Sequence, residues 1–418
     1  MPKPRKRPRD FNCLAAAIVA AVSWAVPVPG MESYAIDNSG FLYGTVSTRS
    51  GKEYHGFLRW GDEESFWDDL FHSSKEELPY LENRSDDERE SRRRRPYRFF
   101  GHEVHVGDDD ARIFICRFGD IAEIEVLRND HIEVHLKSGV VMKVRGYSND
   151  VSDAIHVLDP EVGGIEVEWD RIERIRFAAA PTGADPGVTR LHGTVTTDSG
   201  AFEGWVQWDK SECTSVDLLN GESEDGKVEI PMGRIRSIER LSRRACNVTL
   251  ADGRTLRLEG SNDVNDDNRG IVVEDERHGR VTISWRAFDK LTFSQPGASG
   301  RGYTAYPPLG PLEGSVHTTD GGTHRGHIVF DRDEEAGWEM LNGSHADIEY
   351  DIPFARIASI EPGRHDESRV VLRGGLVLEL EDAQDVSERN AGVYVVTPGR
   401  GEPQFFEWSA IERIEFEP

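Results

Sequence analysis

Basic residues are in short supply in this chain. Lysine and arginine number 50 against 76 acids, so the formal net charge at pH 7 is −26. A surface of that sign repels nucleic acid and anionic membrane surfaces. The run Arg92–Arg95 is the main exception, and Asp86, Asp87, Glu88 and Glu90 stand beside it, so it reads as a locally neutralised, solvated loop. Cysteine is scarcer still, with Cys13, Cys116, Cys213 and Cys246 only. None has a CxxC neighbour, so neither zinc nor redox chemistry is indicated. At most one intrachain disulfide can form among the last three, and Cys213–Cys246 is the favoured pair because both lie in one repeat. No apolar run beyond residue 31 approaches membrane length. GxSxG, P-loop and Rossmann glycine signatures are missing too, and the carboxylates are too numerous to single out a glycosidase pair. Enzyme chemistry therefore has no motif to rest on.

At the N-terminus, Lys3, Arg5, Lys6, Arg7 and Arg9 precede an uncharged, alanine-rich stretch from Phe11 to Met31. Ser23-Trp24-Ala25 places small residues at the −3 and −1 positions of a cleavage site. This is the layout of a secretory signal peptide, residues 1–25, and it implies a periplasmic or secreted protein with no membrane span once the signal is removed. An uncleaved anchor is the alternative. Pro27, Pro29 and the weak hydropathy of the stretch argue against it.

What the chain has in abundance is repetition. Leu42–His55 reads LYGTVSTRSGKEYH, Leu191–Glu203 reads LHGTVTTDSGAFE, and Leu312–Arg325 reads LEGSVHTTDGGTHR. Each is followed by a glycine (Gly56, Gly204, Gly326) and, eight residues on, by a glutamate (Glu64, Glu212, Glu334). Repetition of this kind dictates architecture. Three large repeats are read at residues 35–180, 189–296 and 311–418, with Pro/Gly/Ala-rich linkers between them. Each divides into a leading and a trailing module: 35–127 and 130–180, 189–242 and 245–296, 311–363 and 368–418. The trailing modules open on alternating runs around a glycine turn, such as VTLADGRTLRLEG (Val248–Gly260), which is a hairpin signature. Both module types close alike, as in IPMGRIRSIE (Ile230–Glu239) and WDRIERIRF (Trp169–Phe177). Apolar residues three and then two apart predict a strand, one short helical or 3₁₀ turn, and a final strand. The first leading module carries an extra segment at 74–111, dominated by Asp, Glu and Arg. The fold class is all-β.

The sequence VxTxxG, then GxφxW, then IPxxRIxxIE resembles Sm-like and SH3-like small β-barrels, in particular barrel modules of secreted bacterial proteins of unassigned role. The likeness covers nearly all of the chain after residue 35. It implies three tandem pairs of small barrels. It does not bring RNA binding with it, because neither the loop residues nor the charge fit. A six-bladed β-propeller is the alternative architecture.

Four sets of residues stand out as candidate sites. Asp263, Asn265, Asp267 and Glu274 have the spacing of a calcium loop. Asn268 and Gly270 depart from that pattern, and the shared Asp-Val pairs (Asp150-Val151, Asp263-Val264, Asp385-Val386) have a simpler reading as an Asx-type turn with an apolar plug. Glu64, Glu212 and Glu334 could line a common face for cations or a basic partner, or each could stabilise its own loop. Trp67 and Trp338, in the loops after those glutamates, are candidate partner contacts. His317 and His324 fall on one face of a hairpin and could share a metal. No cofactor is expected, calcium excepted. The combined reading is a non-catalytic binding or scaffold protein of the cell envelope, contacting a protein or glycan through three similar faces. A calcium-dependent structural or adhesive protein is the first alternative, and a hydrolase the second.

Overall fold

The structure is a computed structural model that describes residues 38, 40–77, 80, 97–99, 102–104, 112–146, 150–364, 366–397, 399 and 402–418. The signal segment, the arginine run and most of the acidic insertion lie outside the described residues. Within them the protein is all-β, and every regular element is an antiparallel strand or a single turn of 3₁₀ helix.

The middle repeat shows the local plan. Its leading module contains strands His192–Thr197, Gly200–Gln207, Leu218–Ser223 and Gly226–Pro231, a 3₁₀ turn at Met232–Arg234, and a last strand at Ile235–Ser242. Its trailing module contains Ala245–Leu250, Thr255–Glu259, Ile271–Asp275, Gly279–Ile283 and Phe288–Phe293. The IPxxRI closure has a physical reason. Pro231 and Pro353 stand just before the 3₁₀ turn with φ of −55° and −58°, which the proline ring fixes. The next residue, Met232 or Phe354, drops into the core.

The pairing between modules is what the sequence did not foretell. The leading hairpin 192–207 does not continue into its own third strand. Gly204–Gln207 pairs with Val272–Asp275 of the trailing module, and Gly193–Thr197 pairs with its last strand. In return, the trailing hairpin 245–259 pairs with the leading module's last strand and touches its third strand at Glu222↔Glu259. The two last strands pair with each other at Ser237–Glu239. Each half-repeat is thus a composite of two strands from one module and three from the other. The same exchange occurs in the first repeat and the third.

This corrects the expected build in two respects. The modules are interleaved rather than self-contained, and no sheet closes into a barrel. The strands form one 10-stranded and one 20-stranded sheet, with a separate two-stranded ribbon, and not six blades. The second and third repeats share a sheet because Arg280–Ile283 pairs with Ile348–Asp351.

The repeated glycines mark where the exchanged strands meet. A Cβ on Gly204 would lie 1.9 Å from the Glu274 carbonyl oxygen, and one on Gly56 would lie 2.0 Å from that of Leu158. Side-chain atoms do not come that close to a backbone oxygen, so only glycine fits. Beneath these crossings, alternate strand positions fill the core. Val195, Ile238, Val248, Leu258, Val273 and Leu291 are buried in the second repeat, with equivalents in the others.

The exchange generates a test. A fragment of residues 189–242 lacks the strands that cover its first hairpin, and it should give no cooperative thermal transition by circular dichroism as a monomer. A sharp monomeric melt would show that the leading module closes on itself.

Candidate functional site

The three loops that carry the repeated glutamates have one geometry. Trp60, Trp208 and Phe330 each donate a backbone N–H to the carbonyl of the glutamate four residues on, at 2.8, 2.7 and 2.7 Å. The tight turn forces Gly61, Asp209 and Asp331 to positive φ (54°, 50° and 45°). A second acid follows each glutamate by five residues, and sequence reasoning missed it. Asp69 accepts the N–H groups of Ser65 and Phe66, Asp217 those of Cys213 and Thr214, and Glu339 those of Glu335 and Ala336. The signal that could have found it is its recurrence at the same offset in all three repeats.

Each of these second acids also meets a cation from another repeat. Asp217 pairs with Arg59 at 2.8 Å, Asp69 with Arg280 at 3.3 Å, and Glu339 with Lys75 at 2.6 Å. Arg190–Asp68 (2.7 Å) and Arg112–Asp331 (2.6 Å) add two more links. Burial alone would lower the pKa of Lys75, but Glu339 and Asp333 outweigh it and hold the ammonium charged. The loops therefore face one another across the repeat boundaries. They do not form three faces open to a partner.

The same placement corrects the reading of the tryptophans. Trp67 and Trp338 are 1% and 2% exposed. Trp67 packs 4.6 Å from the Tyr303 ring of the linker, and Trp338 packs 5.5 Å from Phe114 of the first repeat. They anchor contacts inside the chain.

The candidate calcium loop is not assembled. Asp263 is buried, and its carboxylate accepts the Asn220 backbone N–H at 2.6 Å and the Asn220 side chain at 3.0 Å. Asn265 accepts from the backbone of Asp267 in an Asx turn, and the Asp267 side chain is exposed. Glu274 lies on a strand and pairs with Arg280. The Asx-turn-and-plug reading describes what is seen. Asp150, Asp263 and Asp385 cap the backbone N–H of His72, Asn220 and Asn342, while Val151, Val264 and Val386 are buried beside them. The backbone carbonyls of Asp150 and Asp263 also accept the indole N–H of Trp60 and Trp208. His317 and His324 take separate partners, Glu415 and Gln404. Cys213 and Cys246 are both buried and free.

Carboxylates do gather elsewhere. Asp209, Glu212 and Asp263 have oxygens within 4.8 Å of one another, as do Asp331, Asp333 and Glu334. These residues could hold a cation, as could Glu123, Glu125 and His135, and Asp263 belongs with the repeated glutamate rather than with the predicted ligands. Burial, with Asp263 and Asp209 adding to it, pushes the Glu212 carboxyl up to about 9. Burial likewise raises Glu64 beside Asp150 and Glu334 beside Asp333 and Asp385.

A larger concavity lies elsewhere among the described residues, where all three repeats meet. A cleft of about 860 Å³ is lined by Arg117 of the first repeat, Trp205 and Glu274 of the second, Arg356 of the third, and Arg301 and Tyr306 of the linker. Trp205 forms part of its wall and stacks edge-on against His192 at 5.2 Å. His192 Nδ1 and Ser294 Oγ are 3.0 Å apart. That is hydrogen-bond distance for a base and a nucleophile. No carboxylate hydrogen-bonds to the imidazole among the described residues, and the Ser294 backbone N–H donates to the His192 carbonyl, so the contact is cross-strand pairing.

Two predictions follow from the acids. Asp263→Ala leaves the Asn220 N–H without its acceptor and should cost about 1–3 kcal/mol. Asp267→Ala should cost nothing. Thermal melts should give this ranking in EDTA and in millimolar calcium alike, and a calcium-dependent loss in both variants would restore the calcium loop. The second concerns Glu212. The folded chain keeps a proton that the unfolded chain releases above its ordinary value of 4.5. The stability this proton contributes is complete below about pH 4.5 and is lost as pH rises towards about 9. Glu212→Gln should therefore melt with the parent at pH 4 and above it at pH 8–9. Equal melting temperatures across that range would show that the carboxyl is ionised.

No family model and no curated protein matches the chain. Among solved structures, one described as a streptogramin B lyase is 13% identical, with a TM-score of 0.12 over 72% of this chain and 94% of that one. A catalytically inactive virginiamycin B lyase from Staphylococcus aureus with quinupristin is 12% identical, with a TM-score of 0.11 over 71% of this chain and 96% of that one.

Proposed function

We propose that this is a non-catalytic binding protein of the bacterial cell envelope, exported by its N-terminal segment, and that its ligand site is the cleft where the three repeats meet. The observation that carries the reading is the make-up of the cleft, since each repeat and the second linker contribute to its wall. A site of this size, with one accessible tryptophan and several charged groups, suits part of a protein or a glycan. The repeats then cooperate in one composite site instead of acting as three weak ones. Kinship with the Sm-like and SH3-like modules is part of the proposal. It is supported by the order of two hairpins, a 3₁₀ turn and a last strand.

A hydrolase is the second reading, because His192 of the cleft wall has Ser294 within hydrogen-bond distance. Hydrogen exchange of the mature chain, with and without envelope protein and glycan fractions, separates these outcomes. Protection is expected at residues 203–206, 274–280 and 301–306. It should need about tenfold more ligand in Trp205→Ala, the loss typical of one aromatic contact. Protection confined to another surface would refute the cleft. Chemical turnover of the bound component, abolished by Ser294→Ala, would establish the hydrolase.

A further inference from the structure

Two arginines that line the cleft, Arg301 and Arg356, are held by backbone carbonyls instead of carboxylates. Arg356 donates to the backbone carbonyls of Glu276 (2.5 Å) and Arg277 (3.2 Å), and Arg301 to that of Ala305 (2.7 Å). Carbonyl oxygens fix these guanidiniums without neutralising them. Among the described residues no carboxylate pairs with either. Arg356 is only partly exposed, and burial, with the Arg117 and Arg301 charges adding to it, lowers its pKa although the nearby Glu274 and Asp275 charges oppose the shift. Its cationic form is therefore held at a cost that a counter-ion would relieve.

Tyr306 supplies an independent sign. Its ring is close to two guanidiniums, with the Cζ of Arg301 at 4.5 Å from the centroid and that of Arg117, which is itself paired with Asp120 at 2.9 Å, at 5.1 Å. The residue is 2% exposed, and its hydroxyl meets no hydrogen-bond partner. A buried phenol hydroxyl without a partner is costly, and this one belongs to a residue that lines the cleft.

Four of the six acids that line the cleft already have partners. Glu274 pairs with Arg280 and Asp68 with Arg190. Asp275 accepts backbone N–H groups from Glu203, Arg277 and His278, and Asp351 accepts from Asn342. Glu203 and Glu276 remain without an ion pair, and both are exposed. The positive groups continue past the cleft. A second hollow of about 520 Å³ shares Arg277 and Arg356 and adds Arg373, which is held by the carbonyls of Ala355 and Glu417.

We propose that the junction cleft binds its ligand through an oxyanion, a carboxylate or phosphate group, seated among Arg117, Arg301 and Arg356 and taking a hydrogen bond from the Tyr306 hydroxyl. Guanidinium groups suit this task because their planar N–H pairs match either oxyanion in a bidentate contact. The inference rests on the binding reading above and names the chemistry of the ligand.

The test is calorimetric titration of the mature chain with inorganic phosphate and, separately, with citrate as the carboxylate probe, at constant ionic strength because screening weakens such contacts. Saturable binding of either probe is expected, and the tighter one identifies the source of the oxyanion. Affinity should fall tenfold or more in Arg301→Gln and in Arg356→Gln, with partial recovery in Arg356→Lys. Arg413→Gln, which removes a guanidinium paired with Glu415 elsewhere, should leave it unchanged. Tyr306→Phe should weaken binding several-fold while raising the melting temperature of the free chain, since it deletes an unpartnered buried hydroxyl. Absence of binding by both probes, or equal affinity in the arginine variants and the parent, would overturn the proposal. Unchanged affinity in Tyr306→Phe would remove the hydroxyl from the site. If neither probe binds while an envelope fraction still protects the cleft through Trp205, the oxyanion inference fails alone. If nothing protects the cleft, the binding reading falls as well.

Discussion

A module whose first hairpin is built into the sheet of its neighbour cannot complete its own core, and much of the local chemistry of this chain serves that exchange. At each crossing the backbones approach so closely that Gly56, Gly204 and Gly326 admit no side chain. The Asp-Val turn sits where the trailing chain returns to the crossing. The carboxylate of Asp263 holds the leading module's third strand through Asn220, and its backbone carbonyl holds Trp208, which follows the leading module's second strand. Val264 fills the space below. One dipeptide of the trailing module therefore ties together the second and third strands of the leading module. The same arrangement stands at Asp150 and, without the indole, at Asp385, where Phe330 replaces tryptophan.

Between repeats the binding force is of another kind. The second and third repeats continue one sheet, but the first joins them through buried ion pairs and aromatic contacts. A buried ion pair gives little net stability, because desolvation offsets most of the attraction. Losing one partner is different, since the charge left behind has neither water nor a counter-ion. The pairs at Asp69, Asp217 and Glu339 thus select one arrangement of the repeats more than they stabilise it. Their acids also cap the loops that bear them, so loop shape and repeat packing depend on the same carboxylates. The net acidity of the chain has a structural counterpart here. Arginines and lysines are few, and a number of them are spent inside the molecule on these contacts.

Much of the fold was legible because repetition exposes what is obligatory. The recurring glycines, the Gly-turn hairpins and the IPxxRI closure each map onto a strand crossing, a turn or a 3₁₀ turn. Strand exchange was not legible, because the apolar alternation of a strand is the same whichever module it pairs with. The calcium spacing has a second reading for a related reason. Asp263, Asn265 and Asp267 have the offsets of a ligand loop, but a loop of this length also supports an Asx turn, and here Asn265 makes one while Asp263 caps Asn220 beside the buried Val264. Trp67 and Trp338 looked like contact residues because they fall in loops. Those loops are internal only because the repeats pack against one another, which no local pattern reports. Asp69, Asp217 and Glu339 could have been found by their period, but Asp and Glu alternate at that position and hide the match.

The location of the candidate site follows from the same packing. Loops that would have offered three equivalent surfaces are used up in holding the repeats together. What remains open includes the cleft where the three repeats and a linker converge without filling the space between them. That place departs from the repeat pattern: Arg117, Trp205, Arg301, Tyr306 and Arg356 are not equivalents of one another. A site built from non-equivalent residues of a repeated scaffold is free to vary without breaking the scaffold. The glycines, the Asp-Val turns and the capping acids have no such freedom. Binding chemistry is therefore to be sought where the repeats differ, and the cleft is where those differences come together.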